Sequence, residues 1–125
     1  MHKLFLMAGA IFGGLAVALG AFGAHALKEL LTKNQRLDVY ETAVRYQFFH
    51  ALGLILLGIL IQQMPHRFLN SAGYAFIIGT IIFSGSLYIL SITNIRWLGA
   101  ITPIGGLAFI IGWVLLVLAV AGTKS

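Results

Sequence analysis

Residues 38–64 read DVYETAVRYQFFHALGLILLGILIQQM, and this stretch decides the fold of the chain. Its first third carries polar and ionisable side chains, whereas its last two thirds are almost purely apolar. One helix is therefore predicted to run from a polar end into an apolar body thick enough to cross a lipid bilayer. Polar side chains at membrane depth are costly, so they are expected to face other protein, a water-filled cavity or a ligand.

The composition of the whole chain is typical of an integral membrane protein. Of its 125 residues, 60% are hydrophobic and only 9% are charged, whereas a soluble domain carries about 25% charged residues. The length predicts one domain that covers residues 1–125. The chain has no cysteine, which excludes a disulfide framework, a thiolate nucleophile and an iron–sulfur site.

Four apolar segments are long enough to span a bilayer, which takes about 20 residues in a helix. None of them contains Lys, Arg, Asp or Glu. They cover residues 4–27, 46–64, 71–93 and 103–122. The predicted fold class is therefore all-α, a bundle of four transmembrane helices. Pro65 is expected to end the second helix, and Asn70 or Ser71 is expected to cap the third.

The first span has features of a secretory signal, namely a basic start and an Ala-His-Ala sequence at residues 24–26. Its apolar run exceeds the roughly 7–15 residues of a signal, so an uncleaved helix is favoured. Small residues four apart let helix backbones approach closely in lipid. The predicted helix-packing residues are Gly9, Ala10, Gly13, Gly14 and Ala18.

A candidate functional cluster is predicted where the first span ends and the second begins. Its members are His25, Glu41, Arg45, Gln47 and His50. Glu41 and Arg45 are four apart with the acid first, the order that favours an ion pair on a helix. A structural pair is favoured over a gate or an ion-binding pair, and over a solvent-exposed pair with no role. His50 is expected about 9 Å inside the start of the second helix.

The histidines of this region raise the question of a metal or haem site. Two histidines and two carboxylates can bind zinc or iron, and two histidines can ligate haem. The sequence has neither a metal-binding spacing such as Glu-x-x-His nor a haem motif. Hydrogen bonds from histidine between helices are favoured instead. No cofactor and no metal are predicted.

The net charge of +5 comes from eight Lys and Arg residues scattered beside the apolar segments. Basic residues in such positions anchor helices at headgroups and set topology. The lipid bilayer is therefore the predicted partner, with a homo-oligomer or a larger membrane complex as a further expectation, and nucleic acid is not.

The distribution of these basic residues predicts an orientation. Five lie on the face of the long polar loop and three on the face of both termini. They are Lys28, Lys33, Arg36, Arg45 and Arg96 against Lys3, Arg67 and Lys124. This imbalance favours a plasma-membrane protein with the long loop in the cytoplasm and both termini outside.

Three segments resemble the domain-of-unknown-function 423 family of small bacterial membrane proteins. They are GAFGAHALK at residues 20–28, ETAVRYQFFHALGL at residues 41–54 and RWLGAITPIGG at residues 96–106. The resemblance extends over essentially the whole chain. It implies a four-span plasma-membrane protein, and it carries no reaction, cofactor or catalytic residue.

The function expected from the sequence is that of a non-enzymatic structural or accessory membrane component. Little of the chain lies outside the predicted spans, so soluble chemistry has no domain to occupy. One alternative is a small ion or proton transporter or channel that uses the polar end around Glu41, Arg45 and His50. A second alternative is a haem- or metal-binding redox subunit.

Overall fold

The computed structural model describes residues 2–122 of the chain, apart from the side chain of Ala24. These residues form helices and turns, with no strand among them. Four helices are long and apolar enough to cross a membrane, which confirms the predicted all-α bundle. Of the basic residues used to predict orientation, Lys124 lies outside the described part of the chain.

The first half of the chain contains two long helices and a short one. Helix α1 is α-helical over His2–Val17, continues as a π-helix over Ala18–Gly23 and ends with the turn Ala24–Ala26. Helix α2 is Lys28–Lys33, in the polar loop. Helix α3 is Leu37–Gln63.

The second half contains the other two long helices. Helix α4 runs over Arg67–Thr93 and includes a π-helical segment, Thr80–Ser84. Helix α5 is Thr102–Ala121, and a 3-10 helix over Arg96–Ala100 precedes it. The two π segments lie in α1 and α4, the two helices that Gln47 of α3 joins by hydrogen bonds.

The boundary between α3 and α4 has clear local causes. Helix α3 ends just before Pro65, which cannot donate a backbone hydrogen bond. Helix α4 begins at Arg67 because the His66 side chain accepts a hydrogen bond from the Phe68 amide at 3.0 Å. The prediction that Asn70 or Ser71 caps this helix is therefore wrong.

Helices α3 and α4 form the centre of the bundle, with α1 packed on α3 and α5 packed on α4. In the most apolar 18 residues of each helix, 44% of the residues are buried in α3 and in α4, against 17% in α1 and 22% in α5. Glycine permits the close crossings, because a Cβ at Gly9 would lie 2.6 Å from Ala51 O. At Gly112 it would lie 3.3 Å from Ala72 O. Both outer helices thus approach the central pair nearly backbone to backbone.

The polar loop is tied to the end of α4. The Asn34 side-chain amide donates hydrogen bonds to the carbonyls of Ser91 and Ile92, each at 3.0 Å. Arg36 Nε donates to Asn94 Oδ1, also at 3.0 Å. Asn34 therefore satisfies carbonyl groups that the end of a helix leaves without partners. These bonds fix the position of the polar loop against the bundle.

Candidate functional site

The structure divides the predicted polar cluster into two groups. Gln47 and His50 are buried inside the bundle, on the face of α3 that meets the other helices. His25, Glu41 and Arg45 are exposed at the end of the bundle that carries the polar loop. The five side chains therefore do not form one site, and each group needs its own interpretation.

Gln47 joins three helices inside the membrane. Its Nε2 donates a hydrogen bond to Phe12 O of α1 at 2.8 Å. Its Oε1 accepts a hydrogen bond from the Tyr88 hydroxyl of α4 at 2.6 Å. Both ends of the amide are thus occupied, as a buried polar group in lipid requires.

Two further bonds bring the π segments of α1 and α4 against α3. The Tyr40 hydroxyl donates to Leu19 O at 2.6 Å, and the Ser84 hydroxyl donates to Ala43 O at 2.7 Å. Gly23 has no Cβ at the point where the Tyr40 hydroxyl reaches α1. π-Helical segments often occur where a helix must present backbone groups to a special contact.

Tyr40, Ser84 and Tyr88 were not among the predicted site residues. The spacing of Tyr40, Ala43, Gln47 and His50 carries a signal that was available, because residues three, seven and ten apart share one helix face. The bonds from Ser84 and Tyr88 had no such signal, since they depend on how α4 is placed beside α3.

His50 lies at the midpoint of α3, thirteen residues from either end, rather than near the start as predicted. Trp113 Nε1 lies 3.0 Å from His50 Nε2, and His50 Nδ1 lies 2.8 Å from Tyr46 O. An indole nitrogen can only donate, so Nε2 accepts and the proton resides on Nδ1. The imidazole is therefore a neutral side chain with both nitrogens engaged.

Aromatic rings enclose the His50 imidazole. It stacks on Phe109 of α5 at a centroid distance of 3.6 Å and meets Phe76 of α4 edge-on at 5.1 Å. This packing fixes the ring so that its hydrogen bonds to Tyr46 and Trp113 are maintained. His50 joins α3 to α5 as Gln47 joins α3 to α1 and α4, so the two side chains hold all four long helices together.

The exposed group lines a cleft between the end of α1 and the start of α3. The main part of this cleft has a volume of about 480 Å³. It is lined by Gly20, Ala21, His25, Lys28, Leu37 and Glu41. Beside Glu41 the cleft continues to Tyr40, Val44 and Arg45 in a further region of about 270 Å³. Beside Lys28 it continues to Glu29 and Thr32.

The predicted ion pair between Glu41 and Arg45 does not form. No ion pair occurs between any two of residues 2–122. Both side chains are exposed, and an exposed pair gains little over two solvated charges. The charges that line the cleft therefore keep their full capacity to interact with something other than the protein.

A metal-binding group is absent from the described part of the chain, where no three His, Cys, Asp or Glu side chains converge. The cluster of two histidines and two carboxylates considered from the sequence does not assemble. His25 is exposed at one end of the bundle, whereas His50 is buried at its middle with both nitrogens bonded.

The small residues of α1 also fall into two sets. Gly9 is buried against α3, and Gly13 faces Ala51 at ordinary contact distance. Ala10, Gly14 and Ala18 are exposed, and no atom lies within 4 Å of a Cβ placed at Gly14. The face that packs within the chain is therefore that of Gly9 and Gly13, and the predicted use of Ala10, Gly14 and Ala18 within the bundle is wrong.

Comparison with known proteins identifies the family. The family model described as "protein of unknown function (DUF423)" matches residues 19–106. A UPF0382 membrane protein of Staphylococcus haemolyticus is 49% identical over 117 residues, 94% of either chain. The UPF0382 membrane protein YwdK of Bacillus subtilis is 48% identical over 118 residues, which are 94% of this chain and 95% of that protein.

No solved structure matches the chain. The matched residues contain Gln47, His50 and the lining of the exposed cleft, whereas the bonding partners Phe12 and Trp113 lie outside them. The relatives are described as membrane proteins, in agreement with the four apolar helices found here. The chain is a small membrane protein that belongs to the DUF423 family.

Proposed function

We propose that this protein is a non-enzymatic component of the plasma membrane that acts by self-association through α1. The observation that carries the proposal is the exposed strip formed by Ala10, Gly14 and Ala18. Small residues four apart bring no steric bulk to a helix surface, so a second helix can approach closely there. Lipid chains do not form the close backbone contacts that a second helix forms with such a surface.

The buried polar side chains support a structural role rather than a transport or catalytic one. Gln47 and His50 use both of their polar ends to bond other helices. A proton path or a general base needs a group that can exchange its proton with substrate or water. Neither side chain has that freedom while the bundle is closed.

Gly14→Leu tests the proposed association. A leucine at this position meets open space in the chain itself, so the unfolding temperature should stay near that of the wild type. The strip would lose its close approach, so an oligomer should dissociate to monomers. Native mass determination in lipid nanodiscs distinguishes oligomer from monomer. Leu15→Ile serves as the control, because it leaves side-chain volume and polarity unchanged. A wild-type monomer, or an unchanged oligomer in Gly14→Leu, contradicts the proposal.

The charge distribution supports an orientation with the polar loop in the cytoplasm and both ends of the chain outside. Within residues 2–122, five basic residues lie at the polar-loop end and two, Lys3 and Arg67, at the other. Short loops rich in Lys and Arg stay on the cytoplasmic side.

A thiol-labelling experiment on intact cells checks this orientation. Cysteine at exposed Gln63 should react with a membrane-impermeant maleimide, and cysteine at exposed Lys33 should react only after lysis. The native chain has no cysteine, so it contributes no background. The reverse labelling pattern would place the polar loop and its cleft outside the cell.

A further inference from the structure

The charged residues of the exposed cleft have no role in the proposed self-association through α1. It contains two basic residues, Lys28 and Arg45, and two acidic ones, Glu29 and Glu41. None of these four forms an ion pair with any other described residue. A cleft with both signs of charge and no internal pairing is complementary to a ligand that itself carries both signs.

The depth of Arg45 in the membrane indicates the kind of ligand. Helix α3 has 27 residues, and its length of about 40 Å exceeds the roughly 30 Å of a hydrocarbon core. With the apolar residues 46–63 of α3 centred in the bilayer, Arg45 lies about 14 Å from the midplane and Glu41 about 20 Å. The core boundary lies about 15 Å from the midplane, so Arg45 lies at this boundary and Glu41 lies beyond it, among the headgroups.

An arginine exposed on the bundle at the edge of the hydrocarbon core is well placed to bind an anion. A charge inside the core is costly, so the long side chain of an arginine at this boundary extends toward the interface. The anion nearest to that position in a bilayer is the phosphate of a phospholipid. A guanidinium can bind two phosphate oxygens at once, with two parallel hydrogen bonds.

The order of charges along the cleft matches one class of headgroup. Glu41 lies about 6 Å further from the midplane than Arg45, one helical turn away. In phosphatidylethanolamine the ammonium likewise lies beyond the phosphate, two carbons further out. An ammonium carries N–H donors for a carboxylate, whereas the methylated nitrogen of choline carries none. The carboxylates of the cleft also disfavour a headgroup with net negative charge.

We propose that this cleft binds phosphatidylethanolamine, with its phosphate on Arg45 and its ammonium on Glu41. Lys28 lines the main part of the cleft together with Glu41. Gly20 and Val44 provide the apolar wall next to Arg45, where the glycerol end of the lipid enters. The site does not depend on the association of α1, so each proposal can fail without the other.

The test is native mass spectrometry of the delipidated full chain in detergent, with a measured affinity for each added lipid. The probes are dioleoyl phosphatidylethanolamine, the corresponding phosphatidylcholine and phosphatidylglycerol, and water-soluble phosphoethanolamine. We expect phosphatidylethanolamine to bind most tightly. Loss of a hydrogen-bonded charge changes affinity by about tenfold or more.

Matched variants separate the two contacts. Arg45→Gln should weaken all three phospholipids about tenfold, and Arg45→Lys should restore part of the loss because it keeps the charge. Glu41→Gln should lower phosphatidylethanolamine affinity to that of phosphatidylcholine and leave phosphatidylcholine unchanged. Arg96→Gln and Asp38→Asn remove charges at the same end of the bundle but outside the cleft, and they should have no effect.

Several outcomes would overturn the proposal. Equal affinity for the three phospholipids, or equal losses in the cleft and control variants, would indicate general attraction to the basic end of the bundle. Binding of phosphoethanolamine as tight as that of the lipid would indicate a soluble ligand instead. If Arg45→Gln does not fold, Arg45→Lys and Glu41→Gln still decide between these outcomes, because both side chains are exposed.

Discussion

Gly9→Leu is expected to lower the free energy of unfolding by about 3 kcal/mol. A Cβ at Gly9 would lie 2.6 Å from Ala51 O and 2.7 Å from Ile55 Cγ1, so even the first carbon of the new side chain overlaps α3. The crossing of α1 and α3 can accommodate the leucine only by separating the two backbones. That separation also lengthens the hydrogen bond from Gln47 to Phe12.

Unfolding in mixed micelles of increasing denaturing-detergent content measures this loss. Gly14→Leu is the matched control at a dilution where the chain is monomeric and self-association does not contribute, because the same substitution five residues away on α1 meets open space. It should change the free energy of unfolding by less than about 0.5 kcal/mol. Equal losses in the two variants would mean that α1 packs on α3 through a different face.

His50→Ala is expected to cost about 3 kcal/mol, because it removes a buried ring from the centre of the bundle. The substitution also removes the acceptor of the Trp113 indole and leaves a cavity against Phe109. His25→Ala should be nearly neutral, since His25 is exposed. Alanine substitution is thus expected to cost stability at His50 and almost none at His25, although both belong to the predicted cluster.

A double-mutant cycle isolates the hydrogen bond between His50 and Trp113. Trp113→Phe alone should cost less than His50→Ala, and the two losses together should exceed the loss in the double mutant by about 1 kcal/mol. Equal unfolding free energies for His50→Ala and His25→Ala would show that the ring at position 50 does not hold α5.

The transmembrane helices could be predicted because their signal is compositional. Runs of apolar residues bounded by Pro65 or by polar loops require no knowledge of neighbouring helices. The exact residues at which individual helices begin and end were harder to predict. The cap on α4 is a histidine side chain, His66, and this residue is not among the common capping types.

The spacing groups Gln47 and His50 on one helix face, but which face is buried could not be predicted, for a physical reason. In a soluble helix the buried face is the apolar one, so hydrophobic periodicity shows which side faces inward. A transmembrane helix is apolar on both its lipid side and its packed side, and this signal is lost. Arg45 and Gln47 are two residues apart, yet one is exposed and the other buried. For the same reason the small residues of α1 were predicted to pack on both faces, whereas Gly9 is buried and Gly14 is exposed.

The two bonds of Gln47 have a consequence for the order in which the chain is made. Phe12 precedes Gln47 in the chain, but Tyr88 follows it by 41 residues. A nascent chain that has inserted only α1 and α3 therefore carries one half-satisfied amide in lipid, where such a group is costly. That cost is removed only when α4 arrives. The first pair of spans is thus an incomplete unit during synthesis, and the arrival of α4 determines when the helices become fixed in place.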